Sequence, residues 1–417
     1  MAGSGIPISG YSDMWAITGP AVLSGPSSFP NEAQERRYLT QFWLNSPQIL
    51  DGGKRAEDYI MKDDGSTAQN SLPGSSRSTE DPQVMAQVSA DWRLTEDYIQ
   101  VNHIIRALNE GGGSTEARYL QFKSEQAKAE RRLATSYCNK FEADWFAQPN
   151  VTTMEGASTL GAIDPYSFWT FVNEYGANSS SLYDAADPSM PYGTGLPNGF
   201  TTINGINPST EKWFRTWQVP YGADGDITTS TVNSAGHSWI SGMTRLMTLT
   251  GYGPLPWRGG ESTQNDPTYN TDYIIPVSTN GNAFVHKLAV SNSNFFKSPS
   301  GNDPFFPHLS FAGIPIVPCS YMDKAAVYPT SGTTAPTAGN GATETSADVT
   351  GPRFPLLSRQ HIAWFFHQKF NFYFWPEKSP SRQWDTTIYP ISTLHNRICR
   401  SRRKMGILYP SADFTVA

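Results

Sequence analysis

Residues 115–147, TEARYLQFKSEQAKAERRLATSYCNKFEADWFA, are the stretch of this sequence that decides the fold. The stretch contains neither proline nor glycine, and good helix formers dominate it. Ser114 can cap its start, and Gln148-Pro149-Asn150 ends it. One stripe of side chains, spaced by three or four positions, consists of Tyr119, Phe122, Gln126, Ala129, Leu133, Tyr137, Phe141 and Trp145. The pattern predicts a single helix about 50 Å long.

The opposite face of this predicted helix carries charges of both signs. Its members are Lys123, Glu125, Lys128, Glu130, Arg131 and Arg132. One side of the helix is therefore expected to meet a core, and the other to face solvent or another chain. A coiled coil is the alternative, but the stripe lacks strict heptad repetition and is rich in aromatic residues.

The composition favours a subunit that buries surface against neighbours. Charged residues make up 16% of the 417 positions, against about a quarter in ordinary soluble domains, and aromatic residues make up 13%. The length corresponds to about two or three domains. The net charge of −6 argues against a protein whose main task is to grip nucleic acid, although it leaves contact with DNA open.

Cysteine usage and hydropathy point to folding in a reducing cytosol. Three widely separated cysteines indicate neither a disulfide framework nor a zinc cluster. We find no secretory signal at the start of the chain, and no apolar run approaches the roughly 18 residues of a membrane span. The sequence predicts a protein that is made and used in water.

The segments before the long helix are poor in material for a core. Residues 1–30 are rich in Gly, Pro and Ser, with isolated apolar anchors, and form either a disordered tail or an arm that packs on another subunit. A short helix is predicted over 31–44. Residues 51–83 are polar and cannot be buried usefully in an isolated domain.

The segments after the long helix alternate between loops and short elements. We predict a helix over 234–250 and a low-complexity surface loop over 331–351. Alternating residues over 361–375 give the strongest strand signal. A final β segment is expected over 386–403, followed by another at 407–409.

No catalytic, cofactor or metal motif is recognised, and the chain is predicted not to be an enzyme. Walker, dinucleotide, zinc-helix and nucleophile-elbow patterns are missing from the sequence. Asp224-Gly225-Asp226 reads as a turn because the further oxygen ligands of a calcium loop are missing. His361 and His367 do not have the spacing of a ligand pair.

The densest charge cluster is a basic run near the end of the chain. Its members are Arg397, Arg400, Arg402, Arg403 and Lys404. Such a run can face packaged DNA, where it would neutralise phosphates without reading sequence. Alternatively it can form salt bridges between subunits, and this second interpretation is favoured.

The order of these parts resembles the major capsid proteins of tailed bacteriophages, the Hong Kong 97-type fold. The stretches FAGIPIVP (311–318) and NRICRSRRKMGILY (396–409) also look like members of that family. The resemblance implies an α+β fold with five parts. These are an N-terminal arm (1–48), an extended E-loop (49–100), a peripheral domain with a spine helix (101–150), a mixed α/β axial domain (151–389), and return strands of the peripheral domain (390–417).

The same resemblance implies a function. Such proteins self-assemble into hexamers and pentamers that form an icosahedral head shell around double-stranded DNA. Portal, scaffolding and decoration proteins are the further partners expected, with the virion capsid as location and the host cytoplasm as place of assembly. Candidate subunit-interface residues are Trp15, Tyr59, Lys62, Arg131, Arg132, Arg402, Arg403 and Lys404.

Two other functions stay open at this point. A phage tail or decoration protein could bind carbohydrate through exposed Trp and Tyr side chains, but it would be expected to show β-repeats and a trimer. A secreted glycan hydrolase could use two carboxylates among aromatic platforms. The single long helix and the lack of a secretory signal argue against these two alternatives.

Overall fold

The computed structural model describes residues 38–44, 47–61, 85–102, 132–133, 135–155, 163–174, 182–184, 189–197, 199–221, 239–251, 273–291, 296–297, 309–319, 321–322, 352–376 and 386–410. Several predicted features lie outside these ranges: the arm over 1–30 with Trp15, Lys62, Arg131, the first part of the long helix, the turn at Asp224 and the loop over 331–351. Within the described ranges no helix combines the length and apolar character needed to cross a membrane.

Short helices and many strands make up the described chain, which has a mixed α and β fold. The helices are α1 (Tyr38–Leu44), α2 (135–146), α3 (Val151–Met154), α4 (Phe168–Phe171), α5 (Trp239–Thr250) and α6 (Thr279–Ser291). The strands are β1 (Gln48–Leu50), β2 (Arg55–Met61), β3 (Met85–Asp91), β4 (Arg93–Asn102), β5 (Trp217–Tyr221), β6 (Tyr273–Val277), β7 (Phe296–Lys297), β8 (Ser310–Phe311), β9 (Ile314–Pro318), β10 (Phe354–Ser358), β11 (Ile362–His367), β12 (Tyr373–Phe374), β13 (Thr386–Cys399) and β14 (Gly406–Pro410).

A five-stranded sheet is built around the long strand β13. Its order is β1-β11-β13-β12, and β4 also pairs with β13. The antiparallel register of β4 runs from Thr386↔Asn102 to His395↔Arg93, and that of β11 runs from Phe366↔His395 to Ile362↔Cys399. Strand β1 adds in parallel to the far side of β11. The β segment predicted over 386–403 is thus confirmed for 386–399 and forms the centre of this sheet, whereas Arg402–Lys404 form a 3-10 helix.

Helix α2 packs its apolar stripe on one face of the five-stranded sheet. Tyr137, Phe141 and Trp145 are each at most 2% exposed. The Phe141 ring lies edge-on to Trp364 of β11, with 5.1 Å between centroids. Arg132, on the predicted outer face, is exposed. For the described end of the long helix, the predicted division into a core face and an outer face is confirmed.

The continuous strand predicted over 361–375 is wrong in one respect. Strand β11 ends at His367, a 3-10 helix occupies Gln368–Phe370, and β12 covers only Tyr373–Phe374. Phe372 has a φ of 50°, in the left-handed region, which a regular strand does not allow. Strand β11 is also buried on both faces, because α2 covers one side and other core residues cover the opposite side.

A seven-stranded mixed sheet forms the second layer of the described fold. Its order is β5-β14-β10-β6-β9-β8-β7. Helix α5 packs against β5 and β14, and α6 packs against β6 and β9. Alternate residues of β14 enter two different apolar clusters, Ile407 on one face and Leu408 on the other. The sheet is therefore buried on both faces. The predicted helix over 234–250 is confirmed for 239–250, as α5.

Strands β2 and β3 form a separate two-stranded hairpin. Their register runs from Arg55↔Asp91 to Met61↔Met85. Sheet membership divides the chain differently from the predicted segments. Strand β4, within the predicted E-loop for most of its length, belongs to the five-stranded sheet, and the predicted boundary at Pro390 falls inside β13. The two strands of the predicted return segment belong to different sheets, because β13 lies in the five-stranded sheet and β14 lies in the seven-stranded sheet.

Candidate subunit interface

Large apolar side chains that remain exposed lie mainly on two surfaces of the described chain. One is the outer side of the β2–β3 hairpin, and the other is the side of β4, β12 and the adjoining part of β13 that faces away from α2. Among the described residues, no group of three or more His, Cys, Asp and Glu side chains is placed to hold a metal ion.

The hairpin has one buried side and one exposed side, as alternation along paired strands requires. Its inner side consists of Ala56, Ile60, Val88 and Ala90, which are at most 7% exposed. On the other side Tyr59 is 64% exposed and Met85 is 59% exposed. Between them Gln87 donates to Glu57 at 2.9 Å. We call Glu57, Tyr59, Met85 and Gln87 the hairpin outer face.

The second surface is formed by β4, β13 and β12. The register places Leu94 opposite Leu394, and Tyr98 opposite Pro390. On the other side of β13, Tyr373 is opposite Ser392. Directly opposed side chains point to the same face of a sheet, so these residues share one surface. Leu94, Tyr98, Tyr373 and Trp375 form its apolar part, are between 36% and 50% exposed, and are called here the outer sheet face.

Aromatic contacts fix one end of the outer sheet face. The rings of Tyr373 and Trp375 are 5.1 Å apart, and Phe370 lies 5.8 Å from the first and 6.0 Å from the second. The Trp375 Nε1–H group donates to Ser392 Oγ at 2.6 Å. These side chains are therefore ordered before any partner arrives, which lowers the entropy lost on binding.

The base of the hairpin is tied to the rest of the chain by polar contacts. Arg400 Nε donates to Asp58 Oδ2 at 2.6 Å, and its second nitrogen donates to Gln48 Oε1 at 2.7 Å. Trp92 Nε1 donates to the carbonyl of Gly53 at 3.0 Å. An ion pair of 2.6 Å joins Arg55 to Asp91.

Asn204 joins the hairpin to the central strand. Its backbone carbonyl accepts from Ser89 N at 3.1 Å. Its side-chain amide accepts from Cys399 N at 3.0 Å and donates to the carbonyl of Arg397 at 3.4 Å. The amide thus takes the place of a peptide group beside β13. Asn204 is fully buried with a φ of 52°, a conformation that asparagine tolerates better than most residues.

Arg397 is buried inside the chain, which corrects both interpretations of the basic run at this position. Its guanidinium donates to the carbonyls of Asp144 (3.0 Å), Tyr166 (2.7 Å) and Phe141 (3.3 Å). It also lies 3.9 Å from the centroid of the Trp145 ring. Burial lowers the pKa of Arg397 to about 9, so it stays cationic at neutral pH. A cation near the carboxyl end of α2 also suits the helix dipole.

Arg402 was predicted at a subunit interface, and the structure buries it completely. It donates to the carbonyls of Phe171 (2.8 Å), Thr194 (2.9 Å), Gly195 (2.5 Å) and Phe214 (3.3 Å). Burial lowers its pKa to about 10, which again leaves it charged. A five-donor fork can satisfy several loop carbonyls at once, and this explains arginine at the site.

The remaining candidate residues occupy separate elements. Tyr59 lies on the hairpin outer face, and Arg132 is exposed next to α2. Lys404 is exposed, whereas Arg403 is half-buried and donates to the Met190 sulfur at 3.7 Å. The outer sheet face was missed by the sequence analysis. Only the register across β13 brings Leu94, Tyr98, Tyr373 and Trp375 together, and no local pattern carries that information.

A cleft of about 430 Å³ opens between β4, α2 and residues 163–165. Asp144 lines it, forms an ion pair with Lys140 at 2.7 Å and is almost fully buried. Burial raises the pKa of Asp144, and the positive charges of Arg397 and Lys140 oppose that rise. The cleft therefore combines acidic groups with the exposed apolar side chains of Leu94 and Ile163.

The chain is similar to solved structures of capsid and encapsulin proteins. No family model and no curated protein matches this sequence. Among solved structures, the capsid of an empty GTA particle matches 95% of this chain and 98% of its own, with 10% identity and a TM-score of 0.48. The capsid of cyanophage A-1(L) matches 92% and 94%, with 12% identity and a TM-score of 0.46. The SrpI encapsulin of Synechococcus elongatus PCC 7942 matches 91% of both chains, with 9% identity and a TM-score of 0.39. Phage capsids are thus among the solved structures to which this chain is similar over most of its length.

Proposed function

We propose that this chain is a major capsid protein that self-assembles into hexamers and pentamers forming an icosahedral head shell around double-stranded DNA. The observation that carries the proposal is the presence of two different exposed apolar surfaces on one chain, the hairpin outer face and the outer sheet face. It agrees with the family resemblance of the sequence, which implied an extended E-loop over 49–100.

Two unlike surfaces favour a particular kind of assembly. If the hairpin outer face of one copy binds the outer sheet face of the next, each contact leaves a free surface of each kind at the ends. Such heterologous contacts continue from copy to copy and close into rings when the rotation allows it. Pentamers and hexamers are rings of this type. A two-fold dimer, in contrast, would pair one surface with itself.

The size of the outer sheet face fits a subunit held by several weak contacts. Its four large side chains leave roughly 400 Å² of apolar surface accessible to a partner, because each has about 150 to 250 Å² in all and is between 36% and 50% exposed. At about 25 cal/mol per Å², burial would contribute at most about 10 kcal/mol. Association itself costs about 4 to 15 kcal/mol, so one such contact is weak, and a shell would need several per subunit.

Within this proposal, the parts of the fold take the roles implied by the resemblance. The β2–β3 hairpin is the base of the E-loop, and α2 is the described end of the spine helix. We assign the five-stranded sheet to the peripheral domain and the seven-stranded sheet to the axial domain, which moves β11 and β12 out of the predicted axial segment and β14 out of the predicted return strands. Portal, scaffolding and decoration proteins and the packaged DNA are the proposed partners, and the virion capsid is the proposed location, after assembly in the host cytoplasm.

The test is negative-stain electron microscopy of the full chain, with light scattering to measure mass. We expect shells, tubes or rings for the unchanged protein. Tyr59→Asp and Trp375→Asp each place a charge on one of the two surfaces, and each is expected to shift the material toward free subunits. Circular dichroism of these variants should match the parent. Tyr192→Asp is the matched control, because Tyr192 is similarly exposed but belongs to neither surface, and it should still assemble.

The other outcomes discriminate between functions. Discrete trimers that bind carbohydrate through Tyr373 and Trp375 would favour the tail or decoration protein instead. A compact monomer at every salt and crowding condition would reject self-assembly. Assembly that persists with both aspartate variants, and in their combination, would show that the two surfaces are not the contacts.

A further inference from the structure

His395 is a fully buried histidine at the junction of four elements. It lies on β13, where Arg93 of β4 and Phe366 of β11 are its register partners. Its Nε2 atom is 2.9 Å from Thr95 Oγ1 on β4, and its Nδ1 atom is 3.1 Å from Trp364 Nε1 on β11. The ring of Phe141, on α2, lies 4.9 Å from the imidazole centroid.

These contacts define the protonation state of the imidazole. An indole nitrogen can only donate a hydrogen bond, so the contact with Trp364 requires Nδ1 of His395 to accept. In a neutral imidazole the proton then resides on Nε2, which donates to the hydroxyl of Thr95. One neutral ring therefore joins β4, β11 and β13 beneath α2.

A second proton would disrupt this arrangement. Both ring nitrogens of an imidazolium are donors, so Nδ1–H would face the N–H of Trp364 across 3.1 Å. The charge would also enter a region enclosed by aromatic rings, where an unpaired ion is costly.

The charged groups around His395 oppose protonation as well. Arg397 on β13, Lys140 on α2 and Arg93 on β4 all act on it, and together with burial they hold the pKa of His395 well below its ordinary value. Among the carboxylates on the same elements, Asp144 pairs with Lys140, Glu142 accepts from the amides of Leu39 and Thr40, and Asp97 accepts from the amide of Tyr98. Glu96 is the register partner of Ser392 and points to the opposite face of β4 from Thr95. Strand β11 contributes uncharged Trp364 and Phe366.

We propose that His395 is an acid-sensitive latch, in which uptake of one proton breaks the bond to Trp364, loosens the packing of α2 on the five-stranded sheet and weakens the pairing of β4 with β13. Strand β4 follows β3 of the hairpin after a single residue, so release of this latch would also increase the mobility of the hairpin where it joins β4. The inference concerns the conformation of the single chain and does not depend on assembly.

The direction of the effect follows from proton linkage. In the unfolded chain a histidine titrates near its ordinary value of about 6.5, whereas the folded chain resists the proton to much lower pH. Below about pH 6.5 the unfolded chain therefore binds one more proton than the folded chain. The unfolding equilibrium constant should then rise by up to tenfold for each pH unit of further acidification through this one group.

The experiment is urea unfolding of the full chain between pH 7.5 and 5.0, followed by tryptophan fluorescence. His395→Gln should keep both hydrogen bonds, since its amide oxygen can accept from Trp364 and its amide nitrogen can donate to Thr95, yet it does not titrate. We expect the parent to lose stability with acid more steeply than this variant, by close to one proton. His367→Gln, which removes a partly exposed histidine from the end of β11, is the matched control for the loss of a histidine side chain.

A second measurement protects the test against a variant that does not fold. In the unchanged protein carrying ¹³C-labelled histidine, the His395 Cε1 signal should keep its neutral position at pH 5.5, while hydrogen exchange in β4, corrected for intrinsic rate, accelerates with acid. A His395 signal that titrates near pH 6.5 in the intact fold would overturn the proposal. Equal acid steepness for the parent and His395→Gln would overturn it too.

Discussion

Replacing Arg397 by alanine tests whether the basic run serves the inside of the subunit or its outside. The substitution removes the donors to the carbonyls of Phe141, Asp144 and Tyr166 and the cation stacked on Trp145. A buried acceptor left without a partner costs about 1 to 3 kcal/mol, and a desolvated cation–π contact contributes about 2 kcal/mol. Because water can re-enter the space, we expect a net loss of about 4 kcal/mol in the free energy of unfolding.

The assay is urea unfolding at pH 7, read by tryptophan fluorescence and by far-ultraviolet circular dichroism. Arg397→Lys keeps the charge but not the planar fork, so it should lose about half as much stability. Lys404→Ala removes an exposed cation of the same run and should change stability by less than about 0.5 kcal/mol. The internal role would be refuted if Arg397→Ala unfolded with the parental free energy while binding to double-stranded DNA, or assembly, became weaker.

Two further substitutions test single positions of the fold. Asn204→Ala should lower the free energy of unfolding by about 3 kcal/mol, because the side-chain hydrogen bonds to β13 are lost and alanine is strained at a φ of 52°. Asn204→Gly loses the same hydrogen bonds but tolerates that φ, so it should lose less stability in the same urea assay. Gly406→Ala should lose about 1 to 3 kcal/mol, since its Cβ would lie 2.5 Å from Leu246 Cδ1 and 2.7 Å from the Trp217 carbonyl. Gly281→Ala is the control in α6, where the nearest atom is a serine hydroxyl at 3.2 Å. A Gly406→Ala protein as stable as the control would contradict the packing argument.

The helix signal agrees with the structure over 132–133 and 135–146, where the chain is described, because such a signal is local. Side chains three and four positions apart share a helix face whatever the rest of the chain does. The burial of Leu133, Tyr137, Phe141 and Trp145 follows that rule directly. The three β segments predicted after residue 360 were also found in part, since runs of apolar and branched residues bounded by turns are visible there in the sequence. Their break after His367 was not visible, because it depends on a left-handed residue inside an aromatic run.

The basic run shows why charge alone misleads. Charged side chains are mostly exposed, so five cations within eight positions predicted a surface. The structure instead uses Arg397 and Arg402 to satisfy carbonyls of helix and loop segments that are more than 180 residues away in the chain. Buried arginine is tolerated there because all three nitrogens of Arg402 and the two terminal nitrogens of Arg397 donate to backbone carbonyls, although the Nε of Arg397 has no partner among the described residues. No sequence pattern identifies these carbonyls.

The sequence by itself determined the apolar stripe of α2, the strand-rich end of the chain and the order of parts that resembles a capsid subunit. These properties rest on spacing and propensity, which act over a few residues. The tertiary structure alone decided that β13 pairs with β4, β11 and β12. The register of these pairs brings together the residues of the outer sheet face and buries His395. It also decided which cations are internal. The physical reason is that register and burial arise from contacts between distant segments, which form only when the whole chain packs.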